Sequence, residues 1–264
     1  MMKKIKGLKT GNWGKRSKAK SAHLPHERRE VIGAKLGFAA SEAYKLLRTN
    51  LIFSMSDASK CKIIGVTSAL PGEGKSSTAI NLSYSFAETG KNVLFLEADM
   101  RIPVIAKILQ IPESPGLSNV LARVNTLNDA IRSSMLLKSL YVLPGGEIPP
   151  NPSELLSSVR MERLIKTLST SFDYIIIDLP PVNAVGDSLA VSKLLNGMLM
   201  VVRQNYCDRN SLAEAMRQLE LLKVKLLGFV MTDVEQTGTR YKRYRNTYRN
   251  TYTYQREEDE RDGH

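Results

Sequence analysis

The residues with the clearest chemical potential lie between 69 and 77. Ala69 is followed by four residues and then by Gly74, Lys75 and Ser76. This is the spacing of a phosphate-binding loop: Ala or Gly, four residues, Gly-Lys, then Ser or Thr. Glycines let the chain curl so that successive N–H groups converge on phosphate oxygens. The amides of Gly72, Glu73, Gly74, Lys75, Ser76 and Ser77 are the candidate cradle. The Lys75 ammonium is placed to reach β- and γ-phosphates, and the Ser76 hydroxyl to ligate Mg²⁺. Three carboxylates complete the set. Glu97 and Asp99 follow the aliphatic run Val93–Leu96, and Asp178 follows Tyr174–Ile177. Acids at the ends of such runs suit metal ligation and acceptance of a proton.

These side chains need a scaffold that brings strand ends together. Ile63–Thr67, Val93–Leu96, Tyr141–Leu143, Tyr174–Ile177, Met198–Val202 and Leu226–Met231 are short and apolar throughout. Helical periodicity separates them: a helix capped by Ser41, then Ser76–Ala87, a segment opening at Asn151–Ser153, Leu189–Leu195 and Ser211–Leu222. Wholly apolar strands alternating with amphipathic helices predict an α/β fold, a mostly parallel sheet with helices on both faces. In such a sheet ligands lie outside the carboxyl ends of the strands, where Lys75, Glu97, Asp99 and Asp178 would meet.

Composition narrows the function classes. The 264 residues carry a net charge of +12, unevenly distributed. Residues 1–35 hold 11 Lys/Arg against 2 acids, residues 36–239 are nearly balanced, and 240–264 hold 7 against 5. The excess sits in the arms, so a nucleic-acid binder is disfavoured despite the basic total. The basic arm suits an anionic membrane surface or an acidic partner equally well. No apolar run approaches the length of a membrane span, and no apolar stretch follows the basic start as in a secretory signal. Two distant cysteines, Cys61 and Cys207, make no disulfide framework and suit a reducing compartment. The expected organisation is a basic, mostly disordered arm over 1–36, a P-loop domain over 37–235 and a tail over 236–264.

The three segments Ala69–Ser77, Glu97–Pro103 and Asp178–Pro181 resemble the Walker A, A′ and B motifs of the bacterial tyrosine kinases (BY-kinases). Asn151–Leu156 and Met200–Arg203 are similar to further stretches of that family. The resemblance implies an ATP- and Mg²⁺-dependent protein-tyrosine kinase of capsule and exopolysaccharide systems, with Lys75, Glu97, Asp99 and Asp178 catalytic. It implies Ser76, Asp99 and Asp178 as metal residues. The family usually has Asp in the first acidic place of A′, where this chain has Glu97. Either Glu97 or Asp99 can then accept the proton. The ParA/MinD-type positioning ATPases share the fold but carry a lysine early in the loop, where Leu70 stands here. A nucleotide-dependent adaptor without kinase activity is a further alternative.

Five of the ten tyrosines fall within fourteen residues: Tyr241, Tyr244, Tyr248, Tyr252 and Tyr254. With Arg and Lys interleaved, the tyrosines would suit stacking on bases and the cations contact with phosphates. Beside an ATP site, the cluster instead fits the tail that the family phosphorylates on itself. Glu42, Lys45 and Arg48 recur every three residues and so share a helix face. They resemble the family's E-x-x-R-x-x-R subunit-interface motif, with Lys45 in the middle. The resemblance therefore implies a homo-oligomer with phosphorylation between subunits. It also implies a separate membrane activator that recruits a cytoplasmic kinase to the inner face of the membrane.

Overall fold

The computed structural model describes residues 32–55 and 59–234. The arm up to residue 31 and everything from residue 235, including all five clustered tyrosines, lie outside the described residues.

Seven strands form one sheet: β1 (Lys62–Ser68), β2 (Val93–Glu97), β3 (Arg132–Ser133), β4 (Leu140–Leu143), β5 (Tyr174–Asp178), β6 (Gly197–Arg203) and β7 (Leu226–Thr232). Their order across the sheet is β3-β4-β2-β5-β1-β6-β7. Only β3 runs antiparallel to its neighbour. The helices are α1 (Phe38–Ser54), α2 (Lys75–Ala87), α3 (Ile105–Leu109), α4 (Leu117–Leu121), α5 (Leu127–Ala130), α6 (Pro152–Leu156), α7 (Val159–Leu168), α8 (Asp187–Ala190) and α9 (Arg209–Leu221). Among the described residues no helix is long and apolar enough to cross a membrane.

The sheet is buried on both faces, which is why its strands read as unbroken aliphatic runs. Alternate residues enter different cores. Leu94, Leu96, Ile175 and Ile177 pack with α4, α6, α7 and α9. Ile64, Val66, Phe95 and Ile176 pack with α1 and α2. Each such side chain contributes about 1.5–3 kcal/mol when fully buried. α2 is wedged between α1 and the sheet, so nearly its whole circumference is buried.

Several details differ from the sequence reading. The first helix starts at Phe38 behind Gly37, so Ser41 lies inside it and caps nothing. The folded body begins ahead of residue 37: Ile32 is buried, and the Gly33 N–H donates to Asn81 Oδ1 at 2.9 Å. Leu189–Leu195 divides into α8 and a 3₁₀ turn over Ser192–Leu194. The Glu42–Lys45 pair is on the outer face of α1 at 2.8 Å. Arg48 leaves that pair. Its guanidinium donates to the Ser85 carbonyl near the end of α2 and to Ser85 Oγ at 3.1 Å. A cation there is drawn inward by the last carbonyls of a helix.

Strand order places the chemistry. β5 lies between β1 and β2, with Asp178 in register with both Val66 and Glu97. The loop after β1 and the turn after β2 therefore flank the end of β5.

Candidate active site

The turn between β1 and α2 reverses through two residues in left-handed conformation, Gly72 (φ +79°) and Gly74 (φ +88°). Only glycine adopts such angles without cost. No side chain caps α2. Its first amides and its positive dipole end thus suit an anion. The loop is braced from outside. Glu73 is buried; its carboxylate accepts from the Leu70 N–H at 2.7 Å and the Arg203 N–H at 3.2 Å. Thr232 Oγ1 donates to the Glu73 carbonyl at 2.7 Å, and Tyr206 OH to the Pro71 carbonyl at 3.0 Å. Arg203 Nη1 donates to the Gly72 carbonyl at 3.3 Å. The Glu73 side chain is therefore committed to the loop itself, which leaves its backbone for a ligand.

Lys75, at the first turn of α2, is only 9% exposed. Its ammonium lies 2.8 Å from Asp99 Oδ2 and 3.5 Å from Asp178 Oδ1, and it donates to Ser76 Oγ at 3.3 Å. The structure brings together four predicted residues: Lys75, Ser76, Asp99 and Asp178. Burial disfavours the ammonium, yet Asp178 and Asp99 more than offset it and raise the Lys75 pKa. Burial raises the Asp178 carboxyl against the pull of Lys75. Oδ2 of Asp178 is buried with no hydrogen-bond partner among the described residues. A vacant acceptor and a second carboxylate beside a serine hydroxyl fit an oxygen-seeking divalent ion. Among the described residues no three His, Cys, Asp or Glu side chains group as a metal site.

Glu97 pairs in register with Asp178 on the adjoining strand, but its carboxylate turns to backbone amides and not to Lys75. It is 0% exposed. Oε1 accepts from the Val104 N–H at 2.6 Å and the Ile105 N–H at 2.8 Å, and Oε2 from the Gly145 N–H at 2.8 Å. The extended backbone of β2 ends at Glu97, where the chain turns. Glu97 ties that turn to the start of α3 and to the loop after β4. Burial pushes its carboxyl up to about 7, against the three amides. A proton held more tightly in the folded than the unfolded chain makes stability fall as pH rises from the unfolded value to the folded one. Urea midpoints are therefore expected to decline between pH 4.5 and about 7. The contribution is at most about 3 kcal/mol. Glu97→Gln should flatten that decline; a slope unchanged by the substitution would assign it elsewhere.

Sequence reasoning missed one cluster at the cleft wall. Arg101 donates to Asp187 through Nε at 2.8 Å and Nη2 at 3.2 Å. The Ser153 hydroxyl also donates to Asp187. Arg101 and Ser153 stand within stretches already singled out, but Asp187 had no signal in the sequence.

Residues 61–225 match the family described as AAA domain. The tyrosine-protein kinase YwqD of Bacillus subtilis (strain 168) is 39% identical over 191 residues, 72% of this chain and 80% of its own length. The chain belongs to the bacterial tyrosine kinases. The tyrosine-protein kinase CpsD of Streptococcus agalactiae is 33% identical over 222 residues, covering 83% of this kinase and 95% of CpsD. The solved kinase domain of the Escherichia coli tyrosine kinase ETK superposes with a TM-score of 0.69 at 31% identity, covering 76% of this chain and 79% of that one. The P-loop fold and the protein-tyrosine kinase activity expected from the motifs agree with these relatives.

Proposed function

We propose that this kinase transfers the γ-phosphoryl group of Mg-ATP to the tyrosines of its own C-terminal cluster, between subunits, and so regulates capsule or exopolysaccharide synthesis and export. The observation that carries the reading is the contact of Lys75 with both Asp99 and Asp178 at three adjoining strand ends. Bound Mg-ATP supplies the phosphoryl group and part of the charge that screens it. Lys75 and the amides of residues 72–77 hold the phosphate oxygens as charge spreads over them. Ser76, Asp99 and Asp178 would hold the Mg²⁺, some of them through water. A phenol with pKa near ~10 attacks poorly at neutral pH, so its proton must leave as the bond to phosphorus forms. Asp99 is the acceptor, because Glu97 is enclosed by backbone amides.

Tyr241, Tyr244, Tyr248, Tyr252 and Tyr254 are the substrate residues. Each phosphate adds about −1.5 to −2 charge, enough in sum to reverse the local +2 and repel the tail from an acidic cleft. The exposed Glu42–Lys45 pair fits a subunit contact on α1, to which Arg48 contributes by anchoring α1 on α2. A membrane protein with a cytoplasmic segment would recruit and activate the kinase.

The test mixes full-length Lys75→Met chain with active chain cut after residue 235. Incubation with Mg-ATP and a candidate activator segment is followed by mass spectrometry of the C-terminal peptide. Phosphotyrosine on the Lys75→Met tail is expected. Labelling of active full-length chain alone, with none in the mixture, would overturn transfer between subunits. An unlabelled tail in active full-length chain would overturn the substrate assignment.

A further inference from the structure

Beside the Ala98 N–H bond to the Asp178 carbonyl at 2.9 Å, three side chains pin the turn that presents Asp99. At its base, Glu97 accepts from the Val104 and Ile105 amides. In its middle, Asp99 Oδ1 accepts from the Ile102 N–H at 3.2 Å, which leaves Oδ2 for Lys75. On its outer side, Arg101 reaches away from the turn to Asp187 at the start of α8, with Ser153 of α6 bonded to both. The Asp99–Ile102 contact is local, and Glu97 also reaches the loop after β4 through the Gly145 N–H at 2.8 Å. The third alone ties the turn to α6 and α8.

The third contact is also built for rigidity. Asp187 is 0% exposed, while the Arg101 side chain is 41% exposed. A buried carboxylate needs a charged partner and further hydrogen bonds, and removing one member is costly. The guanidinium meets it with two donors in a planar fork, which fixes orientation as well as distance. Asp187 thus fixes Arg101, and Arg101 lies two residues from Asp99 in the same turn.

We infer that Arg101 and Asp187, with Ser153, are positioning residues that hold the turn after β2 so that Asp99 stays aligned with Lys75 and the attacking phenol; this rests on the proposed role of Asp99. Neither hydrogen-bonds to the Lys75 cluster, although the Arg101 charge is felt at Asp99, which is why Arg101→Lys, keeping that charge, is measured beside Arg101→Met. They act by limiting the displacement of Asp99, where an error of about 1 Å costs on the order of 10²-fold in rate.

Steady-state phosphotransfer is measured on full-length chain for Asp187→Asn, Arg101→Met, Arg101→Lys and the Asp187→Asn/Arg101→Met double variant, with thermal unfolding in parallel. Asp187→Asn and Arg101→Met are expected to lower kcat by about 10- to 100-fold, with KM for ATP within about twofold. Arg101→Lys should recover part of the loss, since it keeps the charge but not the fork. The double variant should be no slower than the worse single one, because both changes release one turn. A purely structural pair would lower the melting temperature and leave kcat unchanged. That result in folded protein, or losses that multiply in the double variant, would overturn the inference. Asp99→Asn measured alongside separates the two levels. Full activity of Asp99→Asn would sink the role of Asp99 itself. An inactive Asp99→Asn beside a fully active Asp187→Asn would sink only the positioning.

Discussion

Lys75→Met is expected to reduce phosphotyrosine formation by at least about 10³-fold while the chain remains folded. The ammonium is the one cation placed against both Asp99 and Asp178 in the described cluster. Removing a single preorganised donor from a developing oxyanion already costs about 10²–10³-fold. Here the same deletion also leaves two carboxylates facing each other in a buried site. Burial already raises the Asp178 carboxyl, and losing the Lys75 charge would raise it further, so Asp178 would take up a proton more readily. Magnesium affinity should fall with that proton. Breaking a buried ion pair costs about 3–5 kcal/mol when the remaining charge cannot adapt. The cost should be smaller here because that proton can be taken up. Methionine preserves the side-chain volume between α2 and the sheet, which limits any added cavity penalty. Initial rates with Mg-ATP, read beside far-UV circular dichroism, check the expectation. Wild-type rates in the variant would remove the basis of the proposed mechanism.

Asp99→Asn is expected to lower kcat by about 10²–10⁴-fold, the range for loss of a positioned general base. The substitution is nearly isosteric. An Asn carbonyl can still accept from the Ile102 N–H, as Asp99 Oδ1 does at 3.2 Å, so the turn should persist. What disappears is the charge 2.8 Å from Lys75 and the proton-accepting oxygen. ATP affinity should change less than kcat, because Lys75 becomes freer to meet phosphate. Glu97→Gln is the informative control. The Glu97 carboxylate accepts from three buried amides and makes no hydrogen bond to Lys75, so the substitution should alter stability far more than kcat. If Glu97→Gln removed activity and Asp99→Asn did not, the two carboxylates would exchange roles.

The phosphate loop and the central strands were legible because their signals are local. Gly72 and Gly74 occupy left-handed backbone in the structure, as a Gly-rich turn between strand and helix demands. β2 and β5 extend one residue beyond the aliphatic runs that predicted them, and β1 one residue at each end. α7 was less visible although its sequence is strongly two-sided, with Met161, Leu164, Ile165 and Leu168 buried. It follows α6 after only two residues, Ser157 and Ser158, so one opening signal covered two helices. The short α3, α4 and α5 were not seen, since four or five residues carry too little periodicity to register.

By itself, then, the order of residues along the chain determined an α/β fold with a P-loop, three carboxylates at two strand ends and a kinase family. Those properties follow from short-range backbone preferences and from the apolar content of each segment. Only the tertiary structure decided which charges meet. Placing β5 between β1 and β2 sets Asp178 beside Lys75, and the bend after Glu97 sends one carboxylate into backbone amides and the next into the cleft. Arg48 turning onto α2 and Arg101 reaching Asp187 depend likewise on elements 37 and 86 residues away in sequence. Electrostatic partners are chosen by distance in space, and a dehydrated charge takes whichever opposite charge or dipole the packing delivers.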